Sequence, residues 1–154
     1  MLFVLAGFAA GLRVDAKAVD PLIARGRYLV VAMACNDCHT PNWRSSDGNV
    51  PEAQWLVGNT IGIREAWGTQ YPINIRLWFN RIDEKSWLYA VKTRGGNMQW
   101  HDMRHLTLDD QRAIYRFVRS LGPKGVQVPA DVPPDLEPKT PYIDARLHTP
   151  NPGR

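Results

Sequence analysis

Cysteine is scarce in this chain of 154 residues, and long apolar runs are almost absent. The two cysteines, Cys35 and Cys38, stand three positions apart, so they do not form the kind of disulfide framework that ties distant loops together. No second CxxC pair follows to complete a four-cysteine zinc site. The βαβ context that accompanies a thioredoxin-like CxxC pair is missing as well. The cysteines therefore indicate a local site.

The composition is that of an ordinary folded domain. Hydrophobic residues make up 44%, aromatic residues 10% and charged residues 22% of the chain, which is enough apolar material for one core. The net charge is +4 and the sequence pI is about 9.3. This excess is too small and too scattered to predict nucleic-acid binding, and it favours an acidic protein partner instead.

The amino terminus has the pattern of an export signal. Residues 2–10 are almost wholly apolar, and Ala16-Lys17-Ala18 follows with the small-x-small spacing of a cleavage site. A helix of about ten residues would be about 15 Å long, half of the hydrocarbon thickness. We therefore expect residues 1–18 to be a signal peptide, with a buried terminal helix as the alternative, and membrane association that is at most peripheral.

Helical patterns dominate residues 19–123, which we predict to be one domain. We expect helices from Pro21 to Cys38, around Trp78 and Phe79, around Trp87 and Val91, and from Thr107 to Leu121. Between residues 40 and 71, glycines and prolines interrupt any long periodicity and predict loops. Residues 124–154 are rich in proline and predict an extended tail, either draped on the domain or free in solvent. The predicted fold class is all-α.

The run Cys35-Asn36-Asp37-Cys38-His39 carries most of the functional argument. A CxxCH run is the attachment motif of c-type haem, in which two thiols form thioethers and the adjacent imidazole reaches the iron. On a helix, residues i, i+3 and i+4 share one face, so both cysteines and His39 would meet the same porphyrin. A zinc or thiol module that uses the cysteines directly is the competing interpretation.

A second axial ligand would complete the iron coordination, and the thioether of methionine suits an electron-transfer haem. We expect Met98, because it lies in a loop between two predicted helices, far along the chain from His39. Met33 precedes the haem motif and is expected in the core. Met103, and the two histidines at positions 101 and 105, remain alternatives to Met98.

Four further residues are candidates for the wall of the haem pocket. Their side chains could line the porphyrin or donate to a propionate, although core packing alone would also explain them. These candidates are Trp67, Tyr71, Asn74 and Trp100.

At these residues the chain resembles the class I c-type cytochromes, in particular the monohaem bacterial proteins and domains that serve dehydrogenases. Residues 25–29 and 35–41 resemble the first helix and haem motif of that family. Residues 67–71 with Asn74 are similar to its central haem-lining loop, and residues 98–107 and 119–121 to its methionine loop and closing helix. The resemblance extends from about residue 21 to residue 123. Gln99 departs from the family, which usually has proline after the ligand methionine.

The resemblance implies a helical domain wrapped around one covalent haem c. It also implies one-electron transfer between redox proteins, with a dehydrogenase on one side and an oxidase or reductase on the other. With the export signal it predicts a periplasmic protein that performs no bond-making chemistry of its own. The alternative is a haem enzyme with an open iron site for peroxide or a small gas, or a haem subunit of a larger oxidoreductase.

Overall fold

The computed structural model describes residues 20–96 and 98–148. The predicted signal peptide lies outside these residues and stays a prediction. No helix in the described ranges is both long enough and apolar enough to cross a membrane. The helices are α1 (Pro21–Ala32), α2 (Cys35–His39), α3 (Ile75–Arg81), α4 (Glu84–Thr93), α5 (Trp100–His105) and α6 (Leu108–Ser120), and the strands are β1 (Gly62–Glu65), β2 (Gly68–Gln70) and β3 (Tyr142–Asp144).

The prediction of an all-α fold is wrong, because three strands form a small mixed sheet. Strand β1 pairs antiparallel with β2 and parallel with β3, in the order β2-β1-β3. Ile63 lies at the centre, opposite Gln70 on one side and Ile143 on the other. Strands of three or four residues are too short for a recognisable alternation, and β3 comes from the proline-rich tail. Its pairing depends on where the tail docks.

Helix α1 begins where the sequence predicts and ends earlier. The Asp20 side chain accepts a hydrogen bond from the Leu22 backbone N–H at 2.9 Å, and Pro21 occupies the first turn, where its missing N–H costs nothing. Ala34 has a left-handed φ of 53°, which a right-handed helix cannot continue through. The predicted single helix from Pro21 to Cys38 is therefore two helices, and α2 carries the CxxCH motif by itself.

Helices α1 and α6 pack at close range and form the base of the core. A Cβ atom on Gly26 would lie 1.9 Å from the Ala113 carbonyl oxygen, so only glycine permits this approach. Thr107 caps α6 by accepting from the Asp110 N–H at 3.1 Å. Ile114, Phe117 and Val118 are buried, as the predicted apolar stripe requires.

An aromatic cluster joins α3, α4, α5 and α6. Trp78 packs edge to face against Trp87 and Trp100, with ring centroids 6.0 and 6.4 Å away. Phe79 packs on Trp87 at 4.8 Å and on Tyr115 at 5.5 Å. The helices predicted around Trp78 and Trp87 are confirmed, whereas the short helix α5 was not predicted.

Residues 124–148, here called the C-terminal segment, are draped on the domain. The backbones of Val132 and Thr69 exchange two hydrogen bonds of 2.7 and 2.8 Å. The buried Arg64 side chain donates to the carbonyl of Leu136 at 2.9 Å and to that of Pro134 at 3.3 Å. Over these residues the C-terminal segment is therefore bound to the domain by hydrogen bonds.

Candidate functional site

Helix α2 presents both thiols and the imidazole within a single turn. The Cys35 side chain is buried, whereas Cys38 is exposed, and neither forms a disulfide bond. Burial raises the pKa of Cys35 to about 12 and raises the pKa of Cys38 as well. Both groups are therefore neutral thiols at pH 7, unlike the low-pKa thiolates of redox-active cysteine pairs.

The His39 ring is buried, and one hydrogen bond orients it. Its Nδ1 lies 2.8 Å from the Ile73 carbonyl oxygen, and since a carbonyl only accepts, Nδ1 must carry the hydrogen. Burial lowers the pKa of His39, so the ring is neutral at pH 7 and Nε2 keeps its lone pair. A metal-ligating histidine has this arrangement, with one nitrogen held by a carbonyl and the other free to bind.

Buried hydrogen bonds join α2 to the loop that follows it in space, residues 55–58. The Thr40 hydroxyl donates to Asn36 Oδ1 at 2.7 Å and accepts from the Leu56 N–H at 2.8 Å. The Gly58 N–H donates to the His39 carbonyl at 2.9 Å. Among the described residues, Asn36 Nδ2 is a buried polar atom without a hydrogen-bond partner. These contacts anchor the loop of residues 55–58 to α2.

The methionine loop lies beside the start of α2. Gln99, directly after Met98, lines a pocket together with residues 32–34, Asp102 and His105. Met98 is partly buried and packs against the core, and its carbonyl accepts from the Trp100 N–H at 2.7 Å. Met103 is only 3% exposed and belongs to the core. The fold thus brings the neighbours of Met98 and of Cys35 together.

The four residues predicted to line the haem pocket lie in different surroundings. Trp67 is 58% exposed and Trp100 is buried in the aromatic cluster. The buried Tyr71 contacts the Thr140 hydroxyl through its own hydroxyl at 2.7 Å. Asn74 accepts from the Leu77 N–H, which caps α3, and donates to two carbonyls of the C-terminal segment. The structure gives Tyr71 and Asn74 protein partners, which the sequence pattern did not predict.

The side chains present fit a covalently attached haem. Two free thiols lie one helical turn apart, the adjacent imidazole is neutral and oriented, and a thioether lies in the neighbouring loop. This donor set is that of a Met/His haem. His101 and His105 have the i, i+4 spacing of a metal-binding pair, yet the described residues contain no group of three or more His, Cys, Asp or Glu side chains that could hold a metal ion.

The comparison with known proteins finds a cytochrome subunit that is similar to this chain. The gluconate 2-dehydrogenase cytochrome c subunit of Pantoea cypripedii is 32% identical over 124 residues. The chain is similar to a cytochrome c subunit. The alignment covers 68% of this chain and 27% of the relative, so the chain spans about a quarter of that protein's length. No family model matches the chain, and no solved structure matches it significantly.

Proposed function

We propose that this chain carries one covalently bound haem c and transfers single electrons between redox proteins. The observation that carries the proposal is the arrangement on α2, where Cys35, Cys38 and His39 share one turn and the Ile73 carbonyl orients the imidazole. The similarity to a dehydrogenase cytochrome c subunit supports it.

Each side chain of the site has a distinct task in this proposal. Haem c, when bound, supplies a one-electron iron couple that the protein tunes through its ligands. Cys35 and Cys38 would hold it by thioethers, and His39 Nε2 and the Met98 thioether would bind its iron. A neutral thioether favours ferrous iron and closes the coordination site to small ligands.

Covalent attachment is tested by extracting the purified protein with acidified acetone. We expect the haem to stay with the protein, and we expect the pyridine haemochrome spectrum to show two saturated vinyl groups. Cys35→Ser and Cys38→Ser should each leave one thioether at most, with a shifted haemochrome band and a lower yield of folded protein. Haem that passes fully into the acetone phase from the wild-type protein would contradict the proposal.

The second candidate is a haem subunit of a larger oxidoreductase, and the relative favours it because that protein is named as a dehydrogenase subunit. On this proposal the electron donor is a dehydrogenase, and an oxidase or reductase accepts the electron.

An open-iron enzyme for peroxide or small gases is distinguished by carbon monoxide binding. Carbon monoxide binds an open iron, and a bound Met98 would block it. We further propose export to the periplasm through residues 1–18.

The charge distribution supports an acidic partner. Arg25 and Arg27 pair with Asp110 and Glu52, whereas the cations of α4, including Lys92, face solvent. If these cations steer the partner, electron-transfer rates should fall as salt shortens the Debye length from about 10 Å at 0.1 M to about 3 Å at 1 M. An electron-transfer rate that does not depend on salt concentration would favour an apolar contact with the partner.

A further inference from the structure

The segment of residues 71–74 lies between the candidate haem ligand and the C-terminal segment. On its inner side the Ile73 carbonyl accepts the hydrogen bond from His39 Nδ1 at 2.8 Å. The position of this carbonyl sets the direction of the imidazole, because it is the described partner of the ring. What holds residues 71–74 therefore also holds His39.

The C-terminal segment binds residues 71–74 at both ends. At the first end the Tyr71 N–H donates to Asp131 Oδ1 at 3.2 Å, and the Tyr71 hydroxyl contacts Thr140 Oγ1 at 2.7 Å. At the other end Asn74 Nδ2 donates to the carbonyls of Lys124 and Val126 at 2.8 and 3.2 Å. Ile73 is thus flanked by two residues whose polar groups are bound to the C-terminal segment.

Gly58 lies close to His39, to residues 71–74 and to the C-terminal segment. Its N–H donates to the His39 carbonyl. A Cβ atom placed there would lie 2.5 Å from Val128 Cγ1 and 3.0 Å from the Ile73 carbonyl carbon. Its φ of 84° is also one that favours glycine. At Gly58 no room is left for a side chain between the C-terminal segment and residues 71–74, so a shift of one must displace the other.

We propose that the C-terminal segment positions the proximal histidine by fixing the Ile73 carbonyl through Tyr71 and Asn74. The inference rests on the proposed function, since its consequence is a change in the reduction potential of the haem. A carbonyl that accepts from Nδ1–H makes the imidazole a stronger donor to the iron and stabilises the ferric state. Loosening the C-terminal segment is therefore expected to weaken this hydrogen bond and to raise the reduction potential.

Asp131→Ala is the decisive variant, because it removes the acceptor of the Tyr71 N–H without touching the haem site. Asp131→Asn keeps an acceptor oxygen and serves as the conservative variant. Asp135→Ala is the matched control, since Asp135 is exposed in the same segment and makes no hydrogen bond there. Thr140→Val, which removes the contact to the Tyr71 hydroxyl, is an independent second variant.

Two measurements on the haem-loaded, full-length protein test the proposal. The first is the solvent-exchange rate of the His39 Nδ1 hydrogen, followed by proton NMR in the reduced state. Loss of one hydrogen bond of about 1 kcal/mol predicts exchange about fivefold faster in Asp131→Ala. The second is the reduction potential from spectroelectrochemistry, which should rise in Asp131→Ala and Thr140→Val and stay unchanged in Asp131→Asn and Asp135→Ala.

The outcomes separate this inference from the proposed function. If the wild-type protein holds no covalent haem, the proposed function fails. If haem is bound but Asp131→Ala and Thr140→Val both match Asp135→Ala in exchange rate and potential, only the positioning role is refuted. If Asp131→Asn shifts the potential as much as Asp131→Ala does, the charge of Asp131 acts directly and the hydrogen-bond explanation is overturned.

Discussion

Gly26 is the position where one added methyl group should destabilise this fold most. It lies in the middle of α1, and a Cβ atom there would be 1.9 Å from the Ala113 carbonyl oxygen and 2.7 Å from Phe117 Cβ. To reach an ordinary contact of about 3.4 Å, α1 and α6 must separate by about 1.5 Å. The obstacle is backbone, which cannot rotate away as the end of a flexible side chain can.

The magnitude follows from two opposing effects of Gly26→Ala. Overpacking of a well-filled interface costs about 1 to 3 kcal/mol, and contact with backbone places this substitution at the upper end. Alanine regains about 1 kcal/mol because it is a better helix former than glycine. The net loss is about 2 kcal/mol, which for a chain of this length lowers Tm by about 4 to 8 °C.

Thermal unfolding followed by far-UV circular dichroism measures this loss, with haem content matched between samples. Gly95→Ala is the control, since a Cβ atom at Gly95 meets nothing within 4 Å and its stability should change by at most about 0.5 kcal/mol. A Tm for Gly26→Ala equal to that of Gly95→Ala would refute the close approach of α1 and α6.

Three further predictions concern the haem ligand, an ion pair and the C-terminal segment. Met98→Ala should abolish the weak far-red sulfur-to-iron band, lower the reduction potential and admit carbon monoxide. The control Met103→Ala should keep the band but lose about 2 to 5 kcal/mol of stability, and the reverse pattern would move the ligand to Met103. The Arg25 guanidinium lowers the pKa of Asp110, so the pair stabilises the protein above about pH 4 and this contribution vanishes as pH falls through the folded pKa. Asp110→Asn should therefore be less stable than wild type at pH 7, and this difference should shrink in urea titrations as the pH falls below about 4. Arg64→Met removes the donor to two backbone carbonyls of the C-terminal segment, and trypsin should then cleave this segment faster; unchanged cleavage would show that Arg64 does not secure it.

The sequence alone was sufficient wherever neighbours within four residues decide the structure. The cap of α6 at Thr107 and its buried stripe of Ile114, Phe117 and Val118 follow from helical periodicity, and the structure confirms them. The CxxCH motif places its thiols and imidazole on one turn for the same reason. These features depend on local geometry, which the order of residue types states directly.

Contacts between distant parts of the chain were decided only by the tertiary structure. The left-handed Ala34 breaks the predicted first helix, although nothing in its residue type requires that conformation. Strand β3 pairs with β1 across a separation of 80 residues, which is why the all-α prediction failed. The partner of His39 is a backbone carbonyl at Ile73, 34 residues along the chain. Every residue has a carbonyl, so no residue type marks the one that packing brings to the imidazole.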